Sequence, residues 1–238
     1  MAVEIELKAR LDDIEPVKER LSAIGSYIRS YQKTDAYWFS EKTEIPGVRV
    51  RRERGVHHER GVQERGFEAA GTEYESVSVT IKTKTISEGI EVNDEREFTV
   101  SDAALFEELL RNLGMHNVIS KEKNGFAWVI EDVQPGVAVQ PEVAVQPEVV
   151  IQPITAEISL VTGLGWFLEL EIICPDGFEK DAACRQPASF SKPLEENRKR
   201  LLTLLIKLEI PADRIEDRPY TVMLQELALR NPAATGIL

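Results

Sequence analysis

The chain has 238 residues, enough for one well-buried domain and short for two. Its formal net charge of -12 argues against non-specific nucleic-acid binding, which needs a basic surface, but leaves room for a basic site inside an acidic molecule. Charge from the first residues onward, and no apolar run near the roughly 20 residues of a membrane span, predict a cytoplasmic protein that crosses no membrane.

Residues 3–11 alternate strictly, with Glu4, Glu6, Lys8 and Arg10 on one face and Val3, Ile5, Leu7, Ala9 and Leu11 on the other, the period of a strand. Asp12 or Asp13 can cap a helix with Ile14, Val17, Leu21 and Ile24 on its apolar face and Gly25 at its close. Extended stretches follow at 31–40 and 47–53. Residues 54–75, rich in charge and glycine, read as a surface insertion. Strand patterns resume at 77–83 and 90–100, then Ser101 or Asp102 caps a helix carrying Leu105, Leu109 and Leu113 and ending at Gly114. Residues 118–123 and 126–133 read as two strands. A second insertion, 134–153, holds a tandem Val-Ala-Val-Gln-Pro-Glu repeat whose prolines bar ladder hydrogen bonds. Strands return at 154–161 and 167–173; Ser191 and Pro193 open a helix through Leu208, and a short helix follows Pro219. The leucines from 201 to 208 read as a core face, with any apolar surplus suited to a homodimer contact. Short strands with helices between them predict one α+β domain over 1–238, built on an antiparallel barrel surrounded by helices.

Charge on one face of successive strands carries the chemistry. Besides the residue 4–10 set, Arg49 and Arg51 share a face, as do Lys82 and Lys84, Glu95 and Glu97, Lys121 and Lys123, and Glu169 and Glu171. One such strand is most simply half solvated, but six together point into a barrel whose outer wall is covered by helices. Buried charge of both signs calls for a ligand. Lys and Arg suit phosphate oxygens, and clustered Glu suits a hard cation, Mg²⁺ or Mn²⁺. The scattered His57, His58 and His116 read as surface residues, and Cys174 and Cys184 as free thiols.

Glu4-Ile5-Glu6-Leu7-Lys8 resembles the ExExK signature of the CYTH family, the triphosphate tunnel metalloenzymes. Asp35-Ala36-Tyr37, Val48-Arg49-Val50-Arg51, Thr80-Ile81-Lys82, Glu95-Arg96-Glu97, Lys121-Glu122-Lys123 and the stretch from Gly163 through Glu171 resemble further family segments in order, and Arg218-Pro219-Tyr220 its C-terminal motif. The resemblance implies metal ligation by Glu4, Glu6, Glu169 and Glu171 with Glu95 and Glu97, and phosphate contacts from Lys8, Arg49, Arg51, Lys82, Lys121 and Lys123, to which Arg10 and Lys84 add on the same faces. Lys8, Lys82, Glu171 and Tyr220 are the catalytic candidates. The chain departs from the family at Asn93, where Arg is frequent, and at Ser159, where Asp is usual and Glu157 is the substitute on the same strand face. The implied substrates are tripolyphosphate, thiamine triphosphate or ATP. Hydrolysis is favoured because no nucleobase pocket is legible; cyclisation of ATP to cyclic AMP and pyrophosphate, and a non-catalytic polyphosphate-binding module, stay open.

Overall fold

A computed structural model describes residues 2–40, 47–58, 71–87, 90–131, 152–174 and 192–230. The described residues form eight strands: β1 (Ala2–Leu11), β2 (Ser26–Phe39), β3 (Val48–His57), β4 (Thr72–Ser87), β5 (Ile90–Thr99), β6 (His116–Ile130), β7 (Ile154–Val161) and β8 (Gly165–Cys174). Helices α1 (Glu15–Ile24), α2 (Ala103–Asn112), α3 (Lys192–Lys207) and α4 (Tyr220–Arg230) surround them. The strands close a barrel in the order β1-β5-β4-β3-β2-β6-β7-β8, with every neighbouring pair antiparallel. This is the α+β barrel the alternating patterns predict.

The barrel is inside out relative to a filled one. Ile5, Leu7 and Ala9 of β1 face outward and are fully buried in one core with Leu201 and Leu204 of α3 and Leu208 just beyond its end. Val17 and Leu21 of α1 join the same layer with Trp128 and Ile130 of β6. On the other side α2 lays Ala103 and Leu110 over Val48, Val50 and Val79. Hydrophobic burial therefore lies between wall and helices, and period-2 alternation sends the charged faces into the lumen.

Several local expectations change. Residues 116–130 form one strand, not two, because Gly125 serves close packing rather than a turn: a Cβ there would stand 2.4 Å from the Ile158 carbonyl oxygen. β3 and β4 run to His57 and from Thr72, into the expected first insertion; positions 59–70 lie outside the described residues, as does 134–153 apart from its last two positions. Asp102 caps α2 by accepting from the Leu105 amide at 3.0 Å, and Gly114 beyond it has φ +81°. At α1 the cap position is Ile14, and Asp13 instead accepts from the Glu15 amide at 3.1 Å. Leu105, Leu109 and Leu113 are 65%, 49% and 68% exposed, since Phe106 and Leu110 are the residues that turn to the barrel. The leucines expected to form a core face at 201–208 do pack on the wall; Ile206 alone of 201–208 is a large exposed hydrophobic. No helix among the described residues is long and apolar enough to cross a membrane.

Candidate active site in the barrel interior

The lumen is a cavity of about 940 Å³. Strand alternation delivers Glu4, Glu6 and Lys8 from β1, Arg49 and Arg51 from β3, and Glu95 and Glu97 from β5. Lys121 and Lys123 come from β6, Glu169 and Glu171 from β8, and Tyr220 from the first residue of α4. Arg10 is not brought to the cavity. It donates to Glu216 at 2.8 and 2.9 Å and lies 4.9 Å over the Phe167 ring, at the end of the barrel next to α4. Lys82 and Lys84 are placed only as backbone, paired with Glu95 and Asn93; their side chains lie outside the described residues.

The basic side is organised by an acid that the quoted motif contained without its role being legible. Asp35, fully buried on β2, accepts from Arg51 Nε and Nη at 2.7 and 2.9 Å and pairs with Lys121 at 3.0 Å. Burial penalises its charge, yet Arg51 and Lys121 overcome this and hold its pKa well below the usual aspartate value. Burial pulls Lys121 down to about 8 against the attraction of Asp35. Lys33 behaves alike: burial brings it to about 8, with Glu157 resisting at 2.8 Å. Tyr220 is a second organiser. The ammonium groups of Lys8, Lys121 and Lys123 lie 4.7, 5.0 and 5.4 Å from its ring centre, a threefold cation–π contact. Burial, then the charge of Glu169, raises its phenol well above the ordinary pKa.

The acidic side runs across β8, β1 and β5, where Glu6 is in direct register with Glu171 on one side and Glu91 on the other. Lys8 pairs with Glu91 at 3.5 Å, both buried. Glu169 is held by Lys123, and although burial opposes its charge, Lys123 draws its pKa to about 2. Like charges in adjacent register repel, so an all-oxygen row of this kind suits a hard cation. Among the described residues no three acidic, histidine or cysteine side chains already converge on one point. The chemistry of Glu4, Glu6 and Glu171 fits Mg²⁺ or Mn²⁺, whereas Glu169 would first part from Lys123.

Arg29, Lys33, Glu53, Glu91 and Glu157 also line the cavity and were not anticipated, apart from Glu157 as a substitute acid. The alternation of Arg29, Tyr31, Lys33, Asp35 and Tyr37 was present in the sequence, but Ser30, Gln32 and Thr34 between them are polar too, so no apolar face marked which side was in. Glu157 accepts from Arg29, Tyr31 and Lys33, while Ser159 and Asn93 are fully buried with side-chain polar atoms that find no hydrogen-bond partner among the described residues.

No protein-family profile and no curated protein matches the chain. Solved structures do. A protein from Pyrococcus horikoshii OT3 aligns with 94% of this chain and 98% of its own at 21% identity and a TM-score of 0.62. A Vibrio parahaemolyticus protein, provisionally described as an adenylate cyclase, covers 93% and 97% at 14% identity and 0.59. A Hippeastrum adenylyl cyclase candidate with a dominant triphosphatase activity covers 95% and 96% at 10% identity and 0.51. The chain shares the fold of these proteins, consistent with the CYTH fold that the resemblance implied.

Proposed function

We propose that the chain is a divalent-metal-dependent enzyme that takes a triphosphate into the barrel and hydrolyses it, with tripolyphosphate, thiamine triphosphate or ATP as substrate. One observation supports this above the rest: cations from β1, β3 and β6 and carboxylates from β1, β5 and β8 share one cavity. That pairing matches a polyanion that arrives with its metal. The fold shared with a plant protein of dominant triphosphatase activity points the same way. Hydrolysis is favoured over cyclisation because the described lining holds two aromatic side chains, Tyr37 and Tyr220, and no apolar slot for a nucleobase.

Lys8, Arg49, Arg51, Lys121 and Lys123 orient the phosphate oxygens, with Lys82 as a further contact. Glu4, Glu6 and Glu171 would hold the metal, with Glu95, Glu97 and Glu169 completing the acidic wall; when bound it neutralises charge building on the phosphate oxygens. A water oxygen bonds to the terminal phosphorus as the bridging P–O bond breaks and its electron pair leaves with the diphosphate. Glu171 accepts the water proton. Tyr220, whose raised pKa keeps it protonated, donates toward the departing oxygen.

The experiment is one incubation series with Mg²⁺ or Mn²⁺ and each of the three substrates, resolving phosphate from cyclic nucleotide plus pyrophosphate. Metal-dependent phosphate release is expected, abolished by chelator. Cyclic AMP as the main ATP product would replace hydrolysis by cyclisation. Tight binding without turnover at any metal concentration would leave a binding module and refute the enzyme.

A further inference from the structure

The inward side chains of β2 form a ladder whose rungs follow from the strand registers. Tyr37 faces Arg49, Asp35 faces Arg51 and Lys121, and Lys33 faces Glu53 and Lys123. The next rung changes character. Tyr31 stands between Gly55 on β3 and Gly125 on β6, and Gly55 in turn faces Tyr74 on β4. The glycines yield their space to the rings. A Cβ at Gly125 would lie 2.8 Å from Tyr31 Oη, and one at Gly55 3.0 Å from Tyr74 Cε1.

The hydroxyls tie this rung to a cluster of charges. Tyr31 donates to Glu157 at 2.9 Å and Tyr74 to Glu53 at 2.6 Å. Arg29 reaches both carboxylates, 3.6 Å from Glu53 and 2.8 Å from Glu157, and Lys33 does the same at 3.9 and 2.8 Å. Lys123 adds a third cation 3.9 Å from Glu157, so the layer keeps positive charge toward the cavity and halts a chain by bulk, not by repulsion. Arg29, Lys33, Glu53 and Glu157 line the cavity, whereas Tyr31 does not, and Lys33 Nζ sits 3.9 Å over its ring. The ion layer is thus a surface that the cavity meets, and Tyr31 and Tyr74 stand behind it as a wall between the cavity and a second pocket of about 730 Å³.

We infer that this layer is a stop which makes the tunnel blind, so that a phosphate chain enters end-first from the Tyr220 side and only its leading phosphates are gripped. The inference rests on the triphosphate reading. It predicts that overhanging phosphates gain nothing, because they would trail across a molecule of net charge -12. It also assigns Tyr31 and Tyr74 as the residues that fix the depth of entry.

The test is binding of linear inorganic polyphosphates of increasing length in the presence of Mg²⁺, with thermal melts to confirm folding. For the wild type, affinity per chain should level off once the tunnel is filled. Tyr31→Ala should let the chain pass and raise long-chain affinity over tripolyphosphate by roughly tenfold. Tyr74→Ala, at a half-buried ring and so gentler on folding, should shift the profile the same way, and Tyr31→Phe, which keeps the ring, should retain the plateau. Wild-type affinity that keeps climbing with length, or a plateau kept by folded Tyr31→Ala and Tyr74→Ala, overturns the stop. A wild type that binds no polyphosphate of any length overturns the triphosphate reading and the stop with it.

Discussion

Asp35 shows how one buried carboxylate can set a whole basic wall. With no solvent to share, Arg51 and Lys121 depend on it for compensation. Asp35→Asn would strand two buried cations, and breaking a buried pair in this way costs about 3–5 kcal/mol. Chemical denaturation at neutral pH should show that loss, and a variant of wild-type stability would refute the assignment. The sign of the acid dependence follows from the depressed pKa: Asp35 contributes fully above the ordinary aspartate value, and its contribution drains away as pH falls below it. Across the cavity the carboxylates test the proposed function. Glu4→Gln and Glu171→Gln each keep shape and remove charge, and each should lower metal-dependent turnover by on the order of a hundredfold or more. Steady-state rates against metal concentration check this; wild-type rates in both variants would mean the metal is held elsewhere.

At the scale of elements, the helices exist to pay for a charged lumen by burying the outer wall. Leu201 of α3 is fully buried against β1 and β8, so Leu201→Ala should cost about 2–5 kcal/mol in a denaturant melt. Leu105→Ser on α2 should stay within about 0.5 kcal/mol, since that side chain is 65% exposed; a large loss there would show that the stripe is covered. The contrast marks where the sequence was legible. In β1 and β8 charge alternates with aliphatic residues, so strand, face and lumen could all be read before the fold was seen. On α2, leucines spaced by four suggested the core face, but Phe106 and Leu110 occupy it, because helical periodicity gives a stripe and not its azimuth toward the wall. β6 was split in two because Asn124-Gly125 reads locally as a turn. Its glycine is demanded by Tyr31 and by the Ile158 carbonyl, contacts between strands far apart in sequence. Glu157 and Lys33 were obscured for the same reason: their 2.8 Å pairing spans 124 residues.

At the scale of the whole molecule, an acidic protein keeps cations in its interior at the cost of a weakened hold on some of their protons. Lys33 and Lys121 are pulled by burial from the ordinary 10.5 to about 8. In the ligand-free protein the unfolded chain therefore binds more protons than the folded one between pH 8 and 10.5, so these two groups make stability rise with pH across that window. A bound polyanion reverses the sign. Phosphate oxygens near the two ammonium groups favour their charged form and lift both pKa values toward the ordinary range. Above about pH 8 the complex then holds protons that the free protein has lost, so binding takes up protons and affinity falls as pH rises. Calorimetric titration of tripolyphosphate near pH 8.5, repeated in buffers of different ionisation enthalpy, should show net proton uptake. Lys33→Met and Lys121→Met should each reduce it, and the pair together should flatten the alkaline limb of the affinity profile. Proton release on binding, or an affinity indifferent to pH between 8 and 10, would show that these lysines are not what a triphosphate meets inside the barrel.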